Sequence, residues 1–224
     1  MPILYEDNHL MIVNKRTSDI VQGDQTGDIS LDKLMKGFIK ERDSKPGEVF
    51  MGIPHRLDRP VSGAVILAKT SKALSRMAMM FKEKEVEKIY HAIVVEGPNP
   101  ESGTLEHYLT RNTKQNKSYV HKKEVPDSKW SRLHYKLLAS SNHYHLLEIV
   151  LETGRHHQIR AQLADIGCVI KGDRKYGARR SNKNAGISLH ARSVSFVHPV
   201  KQERIEIVAP YPKLDIFPVF FKKK

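Results

Sequence analysis

Residues 55–69, HRLDRPVSGAVILAK, constrain this chain more than any other stretch. Pro54 and Pro60 fix their own φ angles and push the residue before each away from helix, so the backbone around Asp58 must be a loop. Ser62-Gly63 continues the turn, and the glycine opens conformations closed to bulkier residues. The apolar run at residues 64–68 then has the composition of a buried strand. Any fold must therefore hold one aspartate, with Arg56 and Arg59 on either side, on a stiff loop at the end of a strand. Taken alone, such a loop is ordinarily a surface element whose carboxylate pairs with a neighbouring arginine. A rigid mount against a buried strand equally suits a carboxylate that does chemistry.

The pattern around this segment is mixed α and β, without repeats or a low-complexity linker. Residues 3–5 and 9–13 predict a short hairpin. Ser30 is a candidate N-cap for a helix with Leu31, Leu34, Met35, Phe38 and Ile39 on one face. A second helix follows Ser71, with Leu74, Met77, Ala78 and Phe81 at helical spacing. Strands are expected at residues 86–96, 104–109, 129–138, 145–152, 193–197 and 204–208. A helix at residues 156–166 turns Ile159, Leu163 and Ile166 inward, and a short apolar tail carries Phe217, Phe220 and Phe221. Many strands with hairpin-like links and few helices define an α+β class with an antiparallel or mixed sheet.

The chain has 224 residues, enough for one well-buried domain or two tightly fused lobes; residues 1–224 are expected to act as a single domain. Lysine and arginine number 38 against 25 acidic residues, a net charge of +13. Such an excess favours a polyanionic partner, nucleic acid or an anionic membrane surface. The basic stretches at residues 111–123 and 171–183, with Lys222, Lys223 and Lys224, are candidates for phosphate contact. Tyr119 is placed either to stack on a base or to pack. A membrane-surface protein needs an amphipathic helix with a lysine-rich polar face, and neither main helix has that pattern. There is no apolar run long enough to span a bilayer, and the N-terminus lacks the basic-then-apolar order of a signal peptide. Cys168 is the only cysteine. Neither a membrane span nor an internal disulfide is expected, and the location expected is cytoplasmic. Cys168, between Gly167 and Val169, reads as a small core residue.

No phosphate loop, paired-glycine dinucleotide fingerprint or zinc-ligand spacing occurs. His156 and His157 are adjacent, and on a helix they point in different directions. No metal or cofactor is expected. A carboxylate such as Asp58 can attack an electron-poor carbon or take a proton from a sugar, and both roles stay open. Glycoside hydrolysis normally needs a second carboxylate, and none stands out.

Four segments carry a resemblance. They are residues 55–63, HRLDRPVSG; Lys88, Tyr90 and Ala92; residues 153–160, TGRHHQIR, with Gly172-Asp173 and Tyr176-Gly177 behind; and Leu189-His190-Ala191 with His198-Pro199 downstream. In this order they resemble the H-R-L-D-x-x-T-S-G, K-x-Y-x-A, T-G-R-x-H-Q-I-R, L-H-A and H-P elements of the RluA-type RNA pseudouridine synthases. The matches run from His55 to Pro199, and Val61 stands where the pattern has threonine. The resemblance implies a long mixed, mainly antiparallel sheet with flanking helices and a central RNA-binding cleft. It implies isomerisation of uridines in structured RNA, large-subunit ribosomal RNA, transfer RNA or both, without cofactor or metal.

Carried over residue by residue, the resemblance makes Asp58 the catalytic carboxylate. Arg160 becomes the cation that keeps it ionised away from water, with Arg155 the second candidate for that role. Tyr90 would stack on the target uracil and assist proton removal from C5, and Ile159 would wall the uracil pocket. Arg56 would fill the gap left by the flipped uridine, and His55 and Arg155 join the substrate-binding set. A catalytically silent RNA-binding or RNA-folding protein on the same scaffold is the alternative, and the presence of Asp58 with Arg160 and Tyr90 argues against it. The stretch before His55 is too short for its hairpin and helix plus a further RNA-binding module. A short, monomeric form that binds RNA through the catalytic domain itself is therefore expected.

Overall fold

The computed structural model describes residues 1–23 and 27–221, so the lysines at 222–224 lie outside the described residues. Among the described residues the fold is α+β, with ten strands in a mixed, mostly antiparallel arrangement and three α-helices. The chain forms two compact units, Met1–Val86 with Ala191–Pro210, and Glu87–His190 with Tyr211–Lys224.

The first unit opens with the expected hairpin, β1 (Ile3–Glu6) and β2 (Leu10–Lys15). Asp7 shapes its turn: Oδ1 accepts the N–H groups of His9 and Leu10, each at 2.8 Å. β2 pairs antiparallel with β3 (Ser62–Ala68), which is buried at every residue and so reads as an unbroken apolar run. The helices α1 (Leu31–Arg42) and α2 (Ser71–Lys82) belong here, and Thr70 caps α2 by accepting the Ala73 N–H at 3.1 Å. Ser30 occupies the N-cap of α1, but its hydroxyl donates to Asp32 rather than capping the backbone.

The buried stripe of α1 is narrower than the sequence predicts. Leu31, Met35 and Ile39 are buried, whereas Leu34 and Phe38 are exposed. One turn-by-turn row suffices because the helix meets its neighbours along a single seam. In α2 the seam is Ala73, Met77 and Met80, with Leu74 and Phe81 packed beside it and Ala78 exposed. Leu10, Ile12, Ala64, Ile66, Val194 and Phe196 complete that core. The strand path is β1-β2-β3-β9, where β9 is Leu189–Val197, and β10 (Arg204–Val208) pairs antiparallel with β9.

The second unit runs β4-β8-β7-β5-β6: β4 (Glu87–Val94), β8 (His145–Leu151), β7 (Lys129–Ser140), β5 (Ser102–Asn112) and β6 (Lys117–His121). β6 lies inside a basic stretch that the sequence does not distinguish from a charged loop. Only Ser118 and Val120 turn inward on this edge strand, which leaves too short an alternation to register. α3 (Gln158–Asp165) covers one face, starting two residues later than expected; Ile159 and Leu163 are buried, while Ile166 caps the helix and is exposed. Cys168 is buried, and burial pushes its thiol up to about 11, so it behaves as a core residue. Phe217, fully buried, stacks on Tyr211 and packs with Ile93 and Leu146, which draws the tail into this core. Among the described residues no helix is long and apolar enough to cross a membrane.

Candidate active site

The loop carrying Asp58 is tied along β3 at successive points. Gly52 exchanges two backbone hydrogen bonds with Ala68, at 2.8 and 2.9 Å. Three residues on, Nε2 of His55 accepts the Ile66 N–H at 2.9 Å, and its ring stacks on Phe81 with centroids 4.5 Å apart. The N–H of Val61 then closes a turn on the Asp58 carbonyl at 3.0 Å. Val61, in the place of the pattern's threonine, is buried. Gly63, at φ +118°, lets β3 approach β9 more closely than any side chain permits; a Cβ there would lie 2.3 Å from the Ala191 carbonyl oxygen.

The last tie comes from Lys15, which the sequence did not mark. It ends β2 opposite Gly63, is 1% exposed, and donates Nζ to the carbonyls of Arg16, Asp19 and Arg59, at 2.9, 2.8 and 3.1 Å. Burial brings its pKa down to about 8, with the carboxylates of Asp19 and Asp58 opposing that fall. A lysine thus sits beneath the residue that follows Asp58, near enough for its charge to be felt by the aspartate. Asp58 itself is half-buried. Of the flanking arginines, exposed Arg56 donates to Gln22 Oε1 at 3.1 Å and Arg59 pairs with Asp28 at 2.7 Å.

The second unit places Tyr90, Arg155, Ile159 and Arg160. Tyr90 is buried on β4 opposite Ile149 of β8. The segment before α3 is shaped by one side chain: Oε1 of Gln158 accepts from the Thr153 hydroxyl (2.8 Å) and the Arg155 N–H (3.0 Å), and its Nε2 donates to the Arg132 carbonyl. Arg155 is exposed, with Nε on the Trp130 carbonyl at 3.0 Å. Ile159 and Arg160 follow in the first turn of α3, both buried.

Arg160 and Asp173 form a two-point ion pair, Nε to Oδ2 at 2.6 Å and Nη2 to Oδ1 at 2.9 Å, with side chains 5% and 1% exposed. The guanidinium carbon also lies 5.1 Å from the centre of the Tyr176 ring. The sequence marks Asp173 and Tyr176 only as parts of a pattern. Their spacing around a single 3-10 turn, Arg174–Tyr176, brings both to the same arginine.

The expectation that His156 and His157 diverge on a helix is corrected. His157 has φ +53°, a left-handed conformation that sets it outside α3, and the two rings stack with centroids 3.8 Å apart. Nδ1 of His157 lies 3.0 Å from the Tyr176 hydroxyl; His156 reaches Ser118 Oγ at 2.8 Å and Asn116 at 3.0 Å. Burial, with Arg160 and other cations nearby, holds His157 neutral, its pKa down to about 2. Among the described residues no cluster of metal-ligating side chains occurs.

In the first unit a half-buried carboxylate stands on a loop tied to β3, and a carboxylate so held can act as a base or a nucleophile. The second unit, taken by itself, holds a buried tyrosine and a buried arginine oriented by a carboxylate. The chain belongs to the RNA pseudouridylate synthase family, whose model matches residues 9–165. It is 39% identical over 167 residues to an uncharacterized RNA pseudouridine synthase of Chloroflexus aurantiacus, covering 74% of this chain and 52% of that protein. It is 32% identical over 215 residues to the ribosomal large subunit pseudouridine synthase C of Vibrio cholerae, covering 93% and 65%. The chain therefore spans about half the length of the first relative and just under two thirds of the second. Human RNA pseudouridylate synthase domain containing 4 shares the fold, with a TM-score of 0.79 over 94% of this chain and 88% of that one, at 22% identity.

Proposed function

We propose that this chain isomerises uridines in RNA to pseudouridine, residues 1–224 acting as a single catalytic domain, with Asp58 as the catalytic carboxylate. The observation that carries the reading is the mounting of Asp58: its loop is fixed at Gly52, His55 and Arg59 by bonds from β2 and β3. A solubilising aspartate has no need of such a mount, whereas a reacting group must be held in place to within a fraction of an ångström. In the reaction the bond from ribose C1′ to uracil N1 breaks, the base turns, and C1′ joins C5. The C5 proton leaves and N1 gains one, so nothing is oxidised or reduced. Asp58 acts on the nucleotide by attack or by taking a sugar proton.

In this scheme Tyr90 stacks on the uracil, Ile159 walls its pocket, and Arg160 keeps the carboxylate ionised with Arg155 as the second candidate. Arg56, His55 and Arg155 meet the RNA. The target must leave its stack first, at a cost of a few kcal/mol, and the net charge of +13 draws the RNA in. Large-subunit ribosomal RNA is the first substrate to try, since the Vibrio cholerae relative is named for that subunit, with transfer RNA second. The chain is proposed to work as a cytoplasmic monomer without cofactor. Asp58→Asn should abolish tritium release from RNA labelled at uracil C5 while leaving filter-binding affinity within several-fold. Near-wild-type release by the variant would sink the role of Asp58. RNA binding without release by the unmutated protein would leave the silent RNA-binding alternative.

A further inference from the structure

Two of the residues around Arg160 hold it by different chemistry. Asp173 grips the edge of the guanidinium through Nε and Nη2, which fixes position and charge. Tyr176 meets the same group through its ring. That ring is itself immobilised. Its hydroxyl accepts the Ser118 N–H of β6 at 2.9 Å and contacts the Ser118 carbonyl and His157 Nδ1. Its body packs with Leu109 and Ala161 in a small apolar cluster. A bidentate carboxylate fixes the shared edge of the fork more firmly than its tilt about that edge, and an aromatic surface beside it restrains the tilt.

We propose that Tyr176 is a positioning residue for Arg160, its ring being the surface that sets the tilt of the guanidinium gripped by Asp173. The proposal rests on the reading of Arg160 as part of the active site. It assigns Tyr176 no contact with the RNA. The ring matters more than the hydroxyl: phenylalanine keeps the surface, and leucine removes it.

The test is the single-turnover rate of tritium release from a labelled large-subunit rRNA fragment, with RNA affinity and melting temperature measured on each variant. Tyr176→Leu should slow the step about tenfold with affinity within about threefold, and Tyr176→Phe should recover to within about threefold of wild type. In an Arg160→Lys background, where no planar group remains to be tilted, Tyr176→Leu should cost less than about threefold. Should Tyr176→Leu not fold, Tyr176→Met removes the ring at similar volume. The proposal is overturned if Tyr176→Leu matches wild type, if Tyr176→Phe is as slow as Tyr176→Leu, or if the full loss recurs on top of Arg160→Lys. An Arg160→Ala protein that turns over like wild type removes both the reading and the proposal. A slow Arg160→Ala beside a fast Tyr176→Leu removes the proposal alone.

Discussion

The ammonium of Lys15 donates to the carbonyl of Arg59 at 3.1 Å, so a buried cation on β2 holds the backbone immediately after Asp58. The Ser18 N–H donates to the same carbonyl at 3.0 Å, so two donors converge on one oxygen. The loop of the proposed active site is pinned from beneath by a side chain that is almost wholly shielded from solvent.

Lys15→Met should therefore separate stability from activity. It keeps the volume but takes one donor from each of three carbonyls, that of Arg59 keeping the Ser18 N–H, a loss of about 2 kcal/mol in urea unfolding. Turnover should fall more than tenfold, since the loop loses its anchor near Asp58. Unchanged turnover in a folded variant would show that the other ties suffice.

Arg56 is exposed on the same loop two residues before Asp58. If it fills the space left by the flipped uridine, Arg56→Ala should slow the reaction most on a folded stem-loop. The loss should shrink on the same sequence loosened by a mismatch, where unstacking costs little. The salt slope of binding should change by about one phosphate contact at most. Equal losses on both RNAs would assign Arg56 to chemistry or fold.

Gly63 and Gly37 make a controlled pair. Gly63→Ala forces a side chain into a left-handed site and onto the Ala191 backbone, where the clash is with atoms that cannot move aside. The expected cost is about 3 kcal/mol or more, with little soluble protein. Gly37 lies inside α1 with nothing within 4 Å of its absent Cβ, so Gly37→Ala should stabilise by roughly 0.5–1 kcal/mol. Melting temperatures of the two variants check both signs.

Acid should weaken the fold through three histidines before Glu6 contributes. His157, His107 and His198 all have pKa values lowered from the ordinary 6.5, chiefly by burial. Below pH 6.5 the unfolded chain takes up protons that the folded chain refuses. Stability contributed by these neutral histidines is complete above that pH and declines as pH falls below it. Glu6, held near 2 chiefly by its hydrogen bond from Arg42, adds its own loss only when its unfolded form protonates, below about pH 4.5. Thermal melts at pH 7.5 and 5.0 should show the drop, and His157→Asn, which tolerates the left-handed backbone, should reduce it. An unchanged drop would exclude His157 as a contributor.

The Asp58 loop, the buried β3 and the hairpin before it were legible because prolines, glycine and apolar runs act locally. Residues whose partners lie far along the chain were not. Lys15 closes an apolar strand and looks like an ordinary boundary lysine until the three carbonyls around it are in place. Asp173 and Tyr176 stood in a recognisable pattern, but nothing local tells that both converge on Arg160, thirteen and sixteen residues earlier. Several motif positions also hold the scaffold together. His55 accepts a strand N–H, Gln158 ties the turn before α3, and His198 accepts the N–H groups of Val200 and Lys201. A motif alone cannot separate such residues from those that meet a substrate, because both kinds need one fixed geometry.

The first unit draws on two separated stretches, with β9 and β10 following β3 by roughly 120 residues. During synthesis β3 leaves the ribosome long before the strand that must lie beside Gly63 exists, and its apolar face waits while the whole of residues 87–190 is made. A nascent chain of this protein should therefore engage holding chaperones once β3 has emerged, and release them only when β9 follows.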